Sequence, residues 1–570
     1  MTQSTQLRLA WALLIALTLG YILWMSSLVV LRYTSFIATA FDLGNMDQVM
    51  WNTLHGHLFQ WTNQSDNYFG PPIRLAQHVE PIILPLSLLY LIYPDPRTLL
   101  IFQTLVLASG TLPIFLLTRR YLPIWPLFAP VMVAAYLFSP ALLGENLYDF
   151  HPVSLATPVI LYAFLALVHR RYGWFLAACL LAMATKEDVP FTMALFGLLL
   201  IWKYKLPKLG SLLIVIGLLW FSLAFFVIMP HFLGAKNNNF WYRYADLGPT
   251  PLAAVKNILL HPWILFSYFV TLNRIYYLFS LFRSTSFLAL LAPEWLLPIL
   301  FSLAVNLLSS DASLYGGIYQ YNATIIPFII FAAIHGMQRV LICWQRWQGD
   351  EISLPAVGSL DPEPPHAIAS QQLWLPQRAL YLLKRGNEAI RNTFNNRPVA
   401  WLRPRIAAII QVGKERWWSF GEQMISLARI VPVRKLQFYA GIWFIVMITL
   451  NWIIMIPELN YLWPQQGMTD RDRNIEQLLK EIPPDAAVSA GTNINPHVTE
   501  RRYVTVFPAI EVATMQKTYI MVDYVIVDLQ AVFPEYRNTT AVMLTRLVQS
   551  GQFCNLKQAD GVILLKRCGP

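Results

Sequence analysis

The chain is 570 residues long, with 56% hydrophobic and only 13% charged residues, against roughly 25% charged in soluble domains. That composition excludes an ordinary soluble protein and a disordered chain. The formal charge of +11 comes mainly from Lys and Arg in short clusters between apolar runs; with no recognition motif beside it, this is a topology signal and excludes nucleic acid as a partner. Four cysteines, with no CxxC and no His-rich cluster, carry no zinc or haem signature.

Spans of about 20 apolar residues suit a bilayer. They are predicted at 9–31, 98–118, 123–140, 152–169, 173–185, 189–203, 209–229, 258–281, 285–308, 321–342 and 436–457, about eleven in all. The first is read as a retained helix, because a run from Leu9 to Leu31 without a small-residue cleavage site is too long for a secretory leader. The run Ile82 to Tyr93, broken by Pro85 and flanked by Pro81 and Pro94, is too short to cross and is read as interfacial or re-entrant.

With the N-terminus cytoplasmic, the turns holding Arg119, Arg170, Arg171, Lys203, Lys205, Arg283 and Arg346 fall inside. The acidic turns holding Asp42, Asp47, Glu80, Glu145, Asp149, Glu187, Asp188, Asp246 and Asp311 fall outside. One orientation therefore separates basic from acidic turns. The expected location is a multi-pass protein of the cell (plasma) membrane.

Four regions follow. Residues 1–342 are a transmembrane core with an extracytoplasmic first loop at 32–97. Residues 343–435 are a basic cytoplasmic insertion, a Pro-rich linker followed by amphipathic helices suited to an anionic leaflet. Residues 436–457 are the last span, and 458–570 are a small extracytoplasmic α/β domain. In that domain Asp470 to Leu479 has a helical pattern, and β-like runs occur at 487–490, 503–507, 524–528 and 561–565. Cys554 and Cys568 are placed to form a disulfide; Cys179 and Cys343 read as packing residues.

The outer loops hold the groups suited to chemistry. Asp42 opens Asp42-Leu43-Gly44-Asn45-Met46-Asp47-Gln48. One reading makes it a helix cap; the polar company of Asn45, Asp47 and Asn52 favours a functional carboxylate. On a helix Asp42 and Asn45 share a face, while Asp47 points about 140° away. His78 and Glu80, held extended by Pro81, point the same way as a ligand or proton-transfer pair. Glu145 and Asp149 share a face if helical, with His151 just beyond. Lys186, Glu187 and Asp188 are three ionisable residues in a row at a membrane boundary, which is costly unless they are paired or face a polar cavity.

Such an inventory suits transfer of a sugar from a lipid phosphate, which needs a base for the acceptor proton and positive charge for the departing phosphate. Carboxylates supply the base. Lys186, Arg74, Arg243 or a carboxylate-bound divalent metal (magnesium or manganese) supplies the charge. A transporter with a proton or cation relay is the alternative, and a receptor or assembly protein without chemistry is the third.

Phe41-Asp42-Leu43-Gly44 with Gln48 and Trp51, then His78 and Pro81, Asp149-Phe150-His151-Pro152 and Lys186-Glu187-Asp188 resemble an uncharacterised prokaryotic family of polytopic membrane proteins, catalogued as a domain of unknown function. The tail run Ile482-Pro483-Pro484-Asp485, with Thr492, Asn493, Pro496 and His497, is similar to it as well. The family is similar in layout to GT-C glycosyltransferases. The resemblance implies an α-helical polytopic GT-C-like fold and an integral-membrane glycosyltransferase using a polyprenyl-phosphate sugar donor and a glycan, lipid or protein acceptor. It implies a catalytic aspartate in the first outer loop, Asp42 or Asp47. His78, Glu80, Glu145, Asp149, His151, Lys186, Glu187, Asp188 and Arg243 would then line the substrate site, and Asp42 with Glu187 would offer metal ligands. GT-C enzymes often carry an adjacent acidic pair in this loop, whereas five positions separate Asp42 from Asp47.

Overall fold

The computed structural model describes residues 2–63, 71–235, 239–350, 426–460 and 467–569, with 353–355, 357, 359–360, 423 and 462–464. The linker and amphipathic helices expected within 343–435 lie largely outside the described residues.

Among those residues, five helices are long and apolar enough to cross a membrane: Gln3–Thr34, Pro96–Tyr121, Pro207–Leu233, Ile326–Gln348 and Val433–Ile454. Phe128–Leu137 and Pro140–Leu147 form a pair bent by 45°, and four shorter apolar helices are Pro152–Val168, Tyr172–Met183, Val189–Trp202 and Pro293–Leu308. Proline starts many of these elements, since its fixed φ suits the first helical position and its missing N–H is not needed there. Apolar side chains on the first helix turn outward, Leu23 being 69% exposed, as an acyl-chain environment requires.

The expected span at 258–281 is not one continuous helix. The chain there forms Pro251–Leu260, Trp263–Phe269 after a 103° bend, and Leu272–Arg283. Pro262 cannot continue the first helix, and Thr271 is extended before the third. The run at 82–93 forms two short helical segments, Ile83–Ser87 and Leu88–Leu91, with Leu88, Leu91 and Ile92 exposed.

Helices Val189–Trp202 and Pro207–Leu223 pack with their backbones almost touching. A Cβ at Gly197 would lie 2.6 Å from the carbonyl of Gly210, and one at Gly217 would lie 2.5 Å from that of Pro190. Small residues permit this approach where no hydrophobic force drives helices together.

The C-terminal domain is a five-stranded mixed sheet. Its strands are β1 (Val488–Ala490), β2 (Val504–Val506), β5 (Tyr524–Asp528), β6 (Phe553–Ala559) and β7 (Val562–Arg567), while β3 (Glu511–Ala513) and β4 (Tyr519–Met521) form a separate ribbon. The sheet order is β2-β1-β5-β7-β6, with β1 parallel to β2 and β5. Ile475 and Leu478, from the helix Asp470–Leu479, pack on one face with Val488 and Ile526; Leu544, from Pro534–Gln549, packs on the other with Val525 and Val527. Phe36, from the loop after the first helix, joins the first of these clusters, so the domain is seated on the membrane body. Cys554 and Cys568 are disulfide-bonded, with Cα atoms 5.4 Å apart.

Candidate active site

A cavity of ≈ 430 Å³ opens between the loop after the first helix, the turn after Pro140–Leu147, the turn at 184–188 and the segments 239–247 and 309–322. Asp42 is at its wall. The residue lies within a wide helical turn, Ala40–Gly44, that leads into the helix Asn45–Leu54, and its side chain makes no cap. It instead accepts a hydrogen bond from the Tyr148 hydroxyl at 2.7 Å and lies 3.0 Å from His151 Nε2. Burial opposes its charge, but the His151 and Tyr148 contacts prevail and hold the carboxyl below its usual range. The side chain keeps 23% exposure, so an ionised carboxylate, fixed on two sides, faces open space.

The turn that carries Tyr148 and His151 is held by one buried amide. Gln103 accepts from the backbone N–H of His151 at 3.0 Å and donates to the carbonyl of Asp149 at 3.1 Å. Asp149 takes a left-handed backbone, φ 43°, two residues past the helix Pro140–Leu147, and its carboxylate is not part of the cavity wall. That carboxylate accepts from the N–H of Thr39 at 3.2 Å and lies 3.6 Å from Arg32.

Three cations face the same space: Arg74, Lys186 and Arg243. Arg74 is committed to Glu80 at 2.8 Å. Lys186 has only a loose contact with Asp188 at 3.6 Å, and stands over the Tyr321 ring at 5.7 Å. Burial works against its charge, but Asp188 and Glu187 outweigh that and hold the ammonium above its ordinary pKa. Arg243 meets Asp311 at 3.1 Å and lies over Phe240 at 4.7 Å. His78 stacks on that same ring at 5.2 Å, its Nδ1 lying 2.9 Å from Glu187. With two carboxylates and three cations lining it, the cavity suits an anionic ligand.

The sequence matches the family described as "Predicted membrane protein (DUF2079)" over residues 32–359 and 406–564. The chain belongs to the DUF2079 family. No curated protein matches this DUF2079 chain. Among solved structures it is similar to ArnT from Cupriavidus metallidurans bound to undecaprenyl phosphate, with 12% identity, 97% of each chain covered and a TM-score of 0.45. The same protein in the apo state gives 13%, 97% of each chain and 0.44. The oligosaccharyltransferase of Archaeoglobus fulgidus tethered with an acceptor peptide gives 12% identity, 98% of this chain, 74% of the other and 0.37.

Of the residues expected at the site, Asp42, His78, Glu80, His151, Lys186 and Arg243 line the cavity of the DUF2079 protein. Asp47, Glu145, Asp149, Glu187 and Asp188 are not among its lining residues. Asp47 is fully buried, accepting from Thr499 of the C-terminal domain at 2.6 Å and from Tyr90, because five helical positions turn it to the opposite face. Glu145 is buried near Thr157. Glu187 stands behind His78, and Asp188 beside Lys186. Sequence reasoning missed Tyr148, Gln103, Phe240, Tyr319, Tyr321 and Asn63. An aromatic residue within a polar turn between apolar runs, as at Tyr148, Tyr319 and Tyr321, is the one signal that the sequence carries.

For the metal, Asp42 is engaged by Tyr148 and His151, and Glu187 by His78 and by the N–H of Val79 at 3.2 Å. Among the described residues no three His, Cys, Asp or Glu side chains converge as a cation cage. This donor set does not fit a protein-built ion site.

Proposed function

We propose that this protein is an integral-membrane glycosyltransferase that moves a sugar from a polyprenyl-phosphate donor to an extracytoplasmic hydroxyl acceptor. The observation that carries the reading is the placement of one ionised, partly open carboxylate, Asp42, in the same cavity as the loosely paired Lys186 and the cation Arg243. Asp42 takes the acceptor proton as its oxygen attacks the anomeric carbon. The bond from that carbon to the phosphate oxygen breaks, and its electron pair leaves on the phosphate. Lys186 and Arg243 stabilise the charge that develops there. Tyr148 and His151 hold Asp42 in one rotamer and keep it ionised. The seating of the C-terminal domain beside the Asp42 turn supports placing cavity and domain on one side of the membrane. The segregation of basic turns supports that side being extracytoplasmic, with the N-terminus inside.

The test is release of polyprenyl phosphate by purified protein in nanodiscs, across a panel of polyprenyl-phosphate hexoses and pentoses. Turnover is expected from the wild type, with a fall on the order of 10²-fold or more in Asp42→Asn and in Lys186→Met. Undiminished turnover in a folded Asp42→Asn protein overturns the assignment of the base. Absence of turnover with every donor moves the weight to transport.

A further inference from the structure

The turn that carries Asp42 is closed on its far side by the C-terminal domain. The N–H of Ala40, the first residue of the turn, donates to the carbonyl of Thr492 at 2.9 Å, in the loop after β1. The carbonyl of Ala40 accepts from Asn63 Nδ2 at 3.1 Å. Asn63 and Asn495 exchange amide hydrogen bonds in both directions, at 2.8 and 2.7 Å, and both side chains are buried. The last residue of the turn, Gly44, lies so close that a Cβ there would be 2.5 Å from Asn495 Oδ1. Both ends of a five-residue turn therefore meet a separate domain more than 400 residues away in sequence.

We propose that the C-terminal domain is a structural part of the active site and that Asn495 is a positioning residue for Asp42, acting through Asn63 and the turn Ala40–Gly44. The inference rests on the transferase reading for its catalytic consequence. The turn's own ladder includes the bond from the Gly44 N–H to the Thr39 carbonyl at 3.1 Å, and the outer bonds, to the Thr492 carbonyl and from Asn63, fix where the turn that carries Asp42 begins. The contacts of Asp42 with Tyr148 and His151 come from the opposite wall. The carboxylate can meet both only if the turn is held from behind, because a shift of about an ångström removes a hydrogen bond and near-attack geometry with it. Among the described residues, the ion-pair and ring partners of Lys186 and Arg243 belong to the membrane body.

Two variants test this. Asn495→Ala removes the reciprocal amide, and Gly44→Ala drives a methyl group into Asn495 without deleting a polar group. In both, kcat with the polyprenyl-phosphate sugar is expected to fall on the order of 10-fold or more while KM for the donor holds. The acid limb of the pH profile is expected to move to higher pH, because a displaced Asp42 loses the bonds that keep it ionised. Faster hydrogen exchange at the amides of residues 40–44, with global unfolding unchanged, is expected in both proteins and is readable without turnover. If Gly44→Ala or a folded Asn495→Ala protein keeps the wild-type kcat, acid limb and local exchange, the proposal is overturned. If local exchange rises in both while the wild type turns over no donor, the positioning stands and the transferase reading fails.

Discussion

The hydroxyl of Tyr148 donates to the carboxylate of Asp42 at 2.7 Å, across 106 residues of sequence, and so joins the loop after the first helix to the turn after Pro140–Leu147. His151 meets the other oxygen of Asp42 at 3.0 Å from the same turn, its ring stacked with that of Tyr148 at 5.7 Å. One aromatic pair thus sets both the rotamer and the charge of the proposed base.

Tyr148→Phe keeps the ring and removes the donor. The ionised form of Asp42 loses a hydrogen bond while its burial stays, so its pKa rises. The acid limb of kcat/KM is expected to move up by about one pH unit, equal to about 1.4 kcal/mol, with the alkaline side unchanged. A pH-rate profile of the variant checks this, and an unmoved limb would separate Tyr148 from the base.

Arg243→Met and Arg243→Lys distinguish charge from shape at the phosphate subsite. Methionine is expected to lower kcat/KM for the lipid-phosphate donor on the order of 10²-fold, and lysine to recover part of that, since it restores charge without the planar fork that lies on Phe240. Competition by free polyprenyl phosphate is expected to weaken in parallel, measured as the inhibition constant in each variant.

Asp47 makes the seating of the C-terminal domain depend on pH. Burial raises its carboxyl from 3.8 to about 7; bonds from Thr499 and Tyr90 oppose this, and Asp95 adds to it. Glu500 is raised in the same sense by burial, Asp47 and Asp95. A folded-state pKa above the unfolded one means the folded state binds more protons, so the stabilisation is complete below the unfolded value and is lost as pH rises through the folded one. The thermal midpoint is therefore expected to fall as pH goes from about 5 to about 8, and Asp47→Asn to flatten that slope. Thermal melts of wild type and variant across that range, in nanodiscs, provide the comparison.

Periodicity exposed much of the fold, because an apolar run of bilayer length has few alternatives to a helix. It failed at 258–281, where composition alone hid the break at Pro262. In the site, residue type pointed to Asp42, His78, His151 and Lys186, since charge beside a membrane span needs a reason. It also pointed to Asp47, Glu145 and Asp149 on the same ground, and the structure places all three in buried contacts away from the cavity.

The sequence by itself determined that this is a polytopic membrane protein with a small C-terminal domain, and which turns carry its ionisable groups. These are local properties, set by how many apolar residues run together and where charges interrupt them. Only the tertiary structure decided which carboxylate stays open and ionised. That depends on partners such as Tyr148, Gln103 and Asn495, brought to the Asp42 turn from distant segments, and on how much water each group loses when the segments close around it.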